Sequence, residues 1–187
     1  MVIFEGVLRR ALTESDLRPL PSPVEDLLLR LDAPPRLAAH LRAVHDVAAQ
    51  LVDWFDGRLP LDADAVLFGA ATHDIGKTIH VDELSGPGHR HEPAGRDLLL
   101  SQGIPAELAR FAATHASWTA PDITAEDLVV SLADKAWKAK RVPDLEQLVV
   151  ARLPGEPWQV FMALDDELTR IAATADARLA FQSSCPV

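Results

Sequence analysis

"AVLFGAATHDIGKTIHVDELSGPGHRHEPAGRDLL", residues 65–99, begins as one apolar helix and ends as another, with four of the chain's seven histidines in between. The first part, Asp62 to about Ile75, carries almost nothing but Ala, Val, Leu and Phe until His73, and Gly76 stops it. Lys77 to His89, with the sequence SGPG inside, reads as a loop, and Glu92 to Ser101 as the next helix. Two of the four histidines, His73 and His91, are followed directly by a carboxylate. A rigid apolar helix that ends in His–Asp projects an imidazole and an acid from its last turn. That pair binds a transition metal well, and its simpler explanation is a capped helix end.

The flanking segments are helical too. From Pro35 to Gly57, Leu37, Leu41, Val44, Ala48, Leu51, Val52 and Phe55 repeat at i, i+3 and i+4, with Pro35 suited to the first turn. Further helices are expected at Val24–Leu31, Pro105–His115 and Thr124–Arg141. Another begins at Pro143, and a final one of about 20 residues opens at Glu156–Pro157. Only Met1–Phe4 hints at a strand. The fold class predicted is all-α, a compact helical bundle with short connections.

Composition agrees. The chain has 187 residues, 48% hydrophobic and 25% charged, with no tyrosine and few β-branched clusters, which favours helix over sheet in a soluble protein. The lone Cys185 makes no internal disulfide and no Cys/His zinc cluster. The N-terminus lacks a basic leader and no apolar run approaches a membrane span, so a cytoplasmic protein with no membrane partner is the expectation. A net charge of −10 repels polyanions and disfavours broad nucleic-acid binding, while leaving room for a small phosphorylated ligand.

Two more residues join the pair. His45 lies about 40° from Leu41 and about 20° from Val52 on the helical wheel, at the edge of the buried stripe. It reads either as a packed core histidine or as a side chain reaching an interior cleft. Asp134, in LVVSLADKAWKAKR, shares its side of the helix with Val130 and Trp137 and calls for a cation, either Lys138 one turn on or a metal ion. Lys135, Lys138, Lys140 and Arg141 form a basic cluster in this acidic chain, suited to a phosphate or to the dipole at a helix end.

A histidine on one helix, His–Asp on the next and an aspartate on a later helix resembles the HD superfamily of metal-dependent phosphohydrolases. THDIGK matches its defining motif and LADK its closing element, over about His45 to Lys138. GHRHEPAG and ARFAATHASW resemble the extra histidine elements of a dinuclear subset, which aligns His91 rather than His89, and His115. The resemblance implies a metal set of His45, His73, Asp74, His91, His115 and Asp134, with Asp74 as bridge and catalytic carboxylate. His40 is the poorer counterpart of His45, because HDVA follows the latter; His40, His80 and His89 are expected to be exposed or packing residues. On this reading residues 1–35 are an appendage packed on the bundle and 36–187 the HD domain with C-terminal helices.

Four nitrogens and two carboxylates suit iron, manganese, nickel or zinc better than magnesium, as one or two divalent ions. A metal-activated water then serves as nucleophile in phosphate ester or anhydride hydrolysis. Lys77, one turn beyond His73, is expected to act in catalysis and substrate binding as a point charge on a phosphate oxygen, with Lys135 and Lys138 also meeting substrate. Glu92 reads either as a carboxylate orienting a ligand imidazole or a water or as an exposed residue in a helix's first turn, and Trp118 either as core packing or loop cover or as a residue stacking on a base. The substrate implied is a small phosphorylated molecule, first a nucleotide such as a symmetrical dinucleoside tetraphosphate; homodimerisation is left open. Two alternatives stand beside this. HDIGK…GHRHEPAG is also similar to the HD portion of tRNA nucleotidyltransferases, which points to a tRNA-end-processing phosphohydrolase. An HD-fold regulatory module would bind a nucleotide without turnover.

Overall fold

Proline sets where the helices begin. In the computed structural model, which describes residues 2–14 and 16–187, α1 (Val2–Thr13) is followed by α2 (Ser22–Arg30) and α3 (Pro35–Phe55), and both α2 and α3 carry a proline in their first two positions. A proline there sacrifices only an N–H that has no helical partner. α4 (Ala63–Thr72) is capped by Asp62, whose side chain accepts from the Ala65 N–H at 3.0 Å. After two 3-10 turns, Ile75–Thr78 and Val81–Leu84, come α5 (His91–Ser101), α6 (Ala106–Ala109) and α7 (Phe111–Thr114). α8 (Ala125–Ala136) opens on a capping box made by Thr124 and Asp127, and α9 (Pro143–Val150), α10 (Pro157–Ala172) and α11 (Ala175–Ser184) complete the chain. No strand occurs among the described residues, as an all-α bundle requires. Val2–Phe4 belong to α1, which corrects the strand expected there; Met1 lies outside the described residues.

α3 is the axis. Every residue from Leu37 to His45 is buried, on all sides of the helix, because α1, α4, α8 and α11 pack around it. One apolar cluster joins Val44, Val47, Leu51 and Phe55 to α4, α8, α9 and α10; a second joins Leu37, Ala38 and Leu41 to α1, α2, Ile75 and Leu99. Each such buried Leu, Val or Phe contributes about 1.5–3 kcal/mol. Two buried arginines tie the outer helices down. Arg42 donates to the carbonyls of Ala11 (3.0 Å), Glu14 (2.7 Å) and Leu17 (2.9 Å), and Arg178 to those of Trp137 (2.7 Å) and Ile171 (2.8 Å).

Those arginine contacts explain where sequence periodicity overran the helices. α8 ends at Ala136, not Arg141: Ala139 turns left-handed at φ 56° and the Trp137 carbonyl is taken by Arg178. The final helix is two, because Arg178 binds both the Ile171 carbonyl and the Thr174 hydroxyl at the break. Pro105–His115 divides at Arg110, which keeps helical angles but sends its guanidinium to Asp127 and Thr124. No helix among the described residues is long and apolar enough to cross a membrane.

Candidate metal centre

Helix ends carry the centre. His73 caps the C-terminus of α4 and Asp74 follows it in a non-helical conformation; His91 is the first residue of α5, His115 caps α7, and Asp134 lies in the last turn of α8. All five are buried. Gly76 lets them meet: a Cβ there would lie 2.0 Å from the His91 carbonyl oxygen and 2.6 Å from the Gly95 nitrogen, so only glycine lets the 3-10 turn rest against the start of α5.

Asp74 is the hub. Its Oδ1 lies 3.0 Å from His91 Nε2 and 3.6 Å from His115 Nε2; its Oδ2 lies 3.6 Å from His73 Nε2 and 3.1 Å from His40 Nε2. Asp134 Oδ1 adds contacts of 3.4 Å to His73 Nε2 and 3.9 Å to His40 Nε2. Two groups of donors therefore share one carboxylate: His40, His73 and Asp74, then Asp74, His91 and His115. Both are compatible with a divalent metal ion.

The far side of each ring tests that fit. His73 Nδ1 bonds the Ala70 carbonyl (2.9 Å), His115 Nδ1 the Ala112 carbonyl (3.1 Å) and His91 Nδ1 the Glu83 carboxylate (2.6 Å). Those partners only accept, so in each ring Nδ1 carries the hydrogen and Nε2 of the neutral ring is a lone pair. Three lone pairs then face carboxylate oxygens at 3.0–3.6 Å, in a buried site. His91 Nε2 has no hydrogen-bond partner despite its proximity to Asp74. Like-signed buried atoms held this close are relieved by positive charge between them, either a metal ion or a proton on Nε2.

Titration behaviour carries the same message. Burial lowers His40, and lowers His115 to about 4 with the charge of His73 adding to the effect. Burial works to raise Asp74, but the His73 charge and the close approach of the His40 and His91 rings outweigh it and hold the carboxyl well below its usual range. Burial likewise opposes ionisation of Asp134 and is outweighed by His73 and Lys135. His91 moves the other way: burial lowers it, but Asp74 and Glu83 on its two sides raise it above the usual imidazole value. These carboxylates want positive charge on Nε2.

One residue expected here is absent. His45 sits five positions beyond His40, a turn of about 140° around α3, and its environment is Asp46, Arg18 and Arg42 rather than the cluster. His40, set aside in the sequence reading, takes the place expected of His45, with its ring 4.9 Å from Trp137. His45 is instead a buried neutral base, lowered to about 4 by burial. Its folded value lies below the unfolded one of about 6.5, so the unfolded chain binds the proton first and stability falls as pH drops from about 6.5 to 4, by at most about 3 kcal/mol. Urea unfolding at pH 7.5, 5.5 and 4.5 is expected to show that slope in the wild type and a shallower one in His45→Gln; equal slopes would contradict it.

The cations lie at the rim. Lys77 donates to Asp74 Oδ2, and Lys135, not Lys138, donates to Asp134 Oδ2. Lys138 is exposed, over the Trp137 ring at 5.7 Å, and Lys135 lies 5.6 Å from the half-buried Trp118, which packs on the core. His89 is exposed and bonds Glu92 at 2.8 Å, so Glu92 is not the partner of His91. That partner is Glu83, eight residues upstream in a segment read as plain loop.

A family model, described as HD domain, matches residues 37–136, just over half of the chain. The chain belongs to the HD domain family. Its members are mostly metal-dependent hydrolases, and the matched span of this HD domain contains His40, His73, Asp74, His91, His115 and Asp134 together. Searches of curated proteins and of solved structures gave no match. α1, α2 and α9–α11 flank the matched HD region, and α11 packs against α3 within it.

Proposed function

We propose that this HD domain protein hydrolyses a small phosphorylated substrate, a nucleotide or another phosphate ester or anhydride. The observation that carries the reading is the convergence of four Nε2 atoms on Asp74 and Asp134, with His91 Nε2 buried and without a hydrogen-bond partner. His40, His73, Asp74 and Asp134 would hold one ion and Asp74, His91 and His115 a second. The nitrogen-rich donors favour iron, manganese, nickel or zinc over magnesium. Such an ion, when bound, lowers the pKa of a coordinated water towards 7 and polarises a phosphoryl oxygen.

The chain's own residues supply the rest. Helix α4 and Gly76 fix Asp74 among the imidazoles, and backbone carbonyls hold the rings of His73 and His115 in orientation. Lys77 and Lys135 stand at the carboxylates with ammonium groups that can turn to phosphate oxygens as point charges. Positive charge gathered at this rim of a chain of net charge −10 favours a compact polyanion over a long one. A dinucleoside polyphosphate is the specific substrate this favours first.

Elemental analysis of the purified protein, followed by a phosphate-release screen across nucleotides and dinucleoside tetraphosphates with manganese, iron, nickel or zinc, tests the reading. Transition metal bound and phosphate released is the expected result; protein that takes up none of these ions after reconstitution overturns it. His40→Ala is expected to lose metal and at least about 100-fold in kcat/KM, more than the range for an outer partner of a metal-binding histidine. His45→Ala is expected to keep turnover while losing stability. The opposite ranking would restore His45 to the centre.

A further inference from the structure

The imidazoles of the centre differ in what holds the nitrogen that faces away from it. His73 and His115 end helices, so each finds a carbonyl three residues back, on Ala70 and Ala112. His91 begins a helix and has no turn before it; a helix N-terminus offers N–H groups, not carbonyls. Its Nδ1 partner has to come from elsewhere in the chain.

Glu83 fills that need. Its Oε2 accepts from His91 Nδ1 at 2.6 Å and from the His91 backbone N–H at 3.1 Å, while Oε1 accepts from Arg90 Nε at 2.9 Å and the Arg90 N–H at 3.2 Å. The carboxylate is buried, and the chain is wrapped tightly around it: a Cβ on Gly88 would lie 2.3 Å from Glu83 Cδ. One side chain thus serves two unpaired N–H groups at the start of α5 and the His91 ring. A carboxylate in this position also makes the imidazole a stronger donor than a carbonyl does.

We infer that Glu83 is the positioning residue for the His91–His115 half of the centre, keeping the Nδ1 hydrogen of His91 outward so that Nε2 presents its lone pair beside Asp74 Oδ1. The His40–His73–Asp134 half does not depend on it. The inference rests on the metal-centre reading above. It makes the segment between Lys77 and Arg90, which carries no donor to the cluster beyond Lys77, a determinant of whether the second ion is held.

Cobalt(II) titration of the full-length, metal-stripped protein, followed by visible absorbance, tests it. The wild type is expected to show two binding steps. Glu83→Gln, nearly isosteric but uncharged, is expected to weaken one step about 10–100-fold and leave the other unchanged. Glu83→Asp keeps the charge on a shorter arm and is expected to recover part of the loss. A merely structural cap predicts a lower Tm with both steps unchanged or both weakened alike, and that result overturns the inference, as does a single step in the wild type. Should Glu83→Gln fail to fold, the same comparison is read from Glu83→Asp, where selective weakening supports the inference and equal affinities refute it. A wild type that binds no cobalt at all is a different failure, that of the proposed function.

Discussion

Asp74→Asn is expected to fold, to retain less than one equivalent of metal and to lose more than about 100-fold in phosphate release, beyond what an outer hydrogen-bond partner of the centre accounts for. Asp74 touches His40, His73, His91 and His115 through its two oxygens and accepts from Lys77. The amide has nearly the same shape, so packing is conserved. What changes is that one of the two acceptor positions becomes an NH2 donor, which no longer offers a lone pair to a cation. Either orientation of the amide leaves one of the two donor groups without its shared oxygen, and the negative charge that balances two cations is gone. Metal content by elemental analysis and initial rates of phosphate release measure both effects. Wild-type turnover in this variant would remove Asp74 from the centre.

Gly76→Ala is expected to be the most damaging single methyl in the protein. The added carbon would lie 2.0 Å from the His91 carbonyl oxygen, 2.8 Å from its carbonyl carbon and 2.6 Å from the Gly95 nitrogen. These are backbone atoms of α5, which cannot rotate aside as a flexible side chain can. The 3-10 turn and α5 have to separate, at a cost of about 3 kcal/mol or more. For a chain of this size that is a fall in Tm of roughly 6–12 °C. The same separation carries His91 away from Asp74, so metal retention at the His91–His115 half falls with stability. Gly86→Ala, whose Cβ would meet only the Asp82 carbonyl at 3.4 Å, is the matched control and is expected to cost little. Equal melting temperatures for the two variants would contradict the packing argument.

Much of the centre was legible before any coordinates. His73–Asp74 stands out at the end of its apolar helix and Asp134 among apolar neighbours on another, while His91 and His115 are singled out by their resemblance to the family's extra histidine elements. The structure brings those five together. His40 was placed behind His45 because HDVA follows the latter, a choice the helical wheel does not make. The wheel places His40 about 40° from Val44 and about 20° from Val47, the same test that selected His45. That test assumes a helix with one buried face, and α3 is buried all round from Leu37 to His45. Glu83 was missed because its partner lies eight residues away across a turn, beyond any helical or strand period. Glu92 is adjacent to His91, but adjacency along the chain does not bring two side chains together at a helix N-terminus, and Glu92 bonds His89 instead.

Sequence alone determined the all-α class, the starts of α3, α4, α8, α9 and α10 to within a residue, and five of the side chains that meet at Asp74 and Asp134, because proline geometry, capping side chains and neighbouring-residue motifs act within a few residues of chain. Tertiary structure decided which α3 histidine faces Asp74, which carboxylate holds His91, and where α8 and the C-terminal helix stop. Those outcomes depend on Trp137, Arg178 and Glu83 meeting partners distant in sequence, and such meetings are set by how the helices pack around α3 rather than by any local preference of the residues themselves.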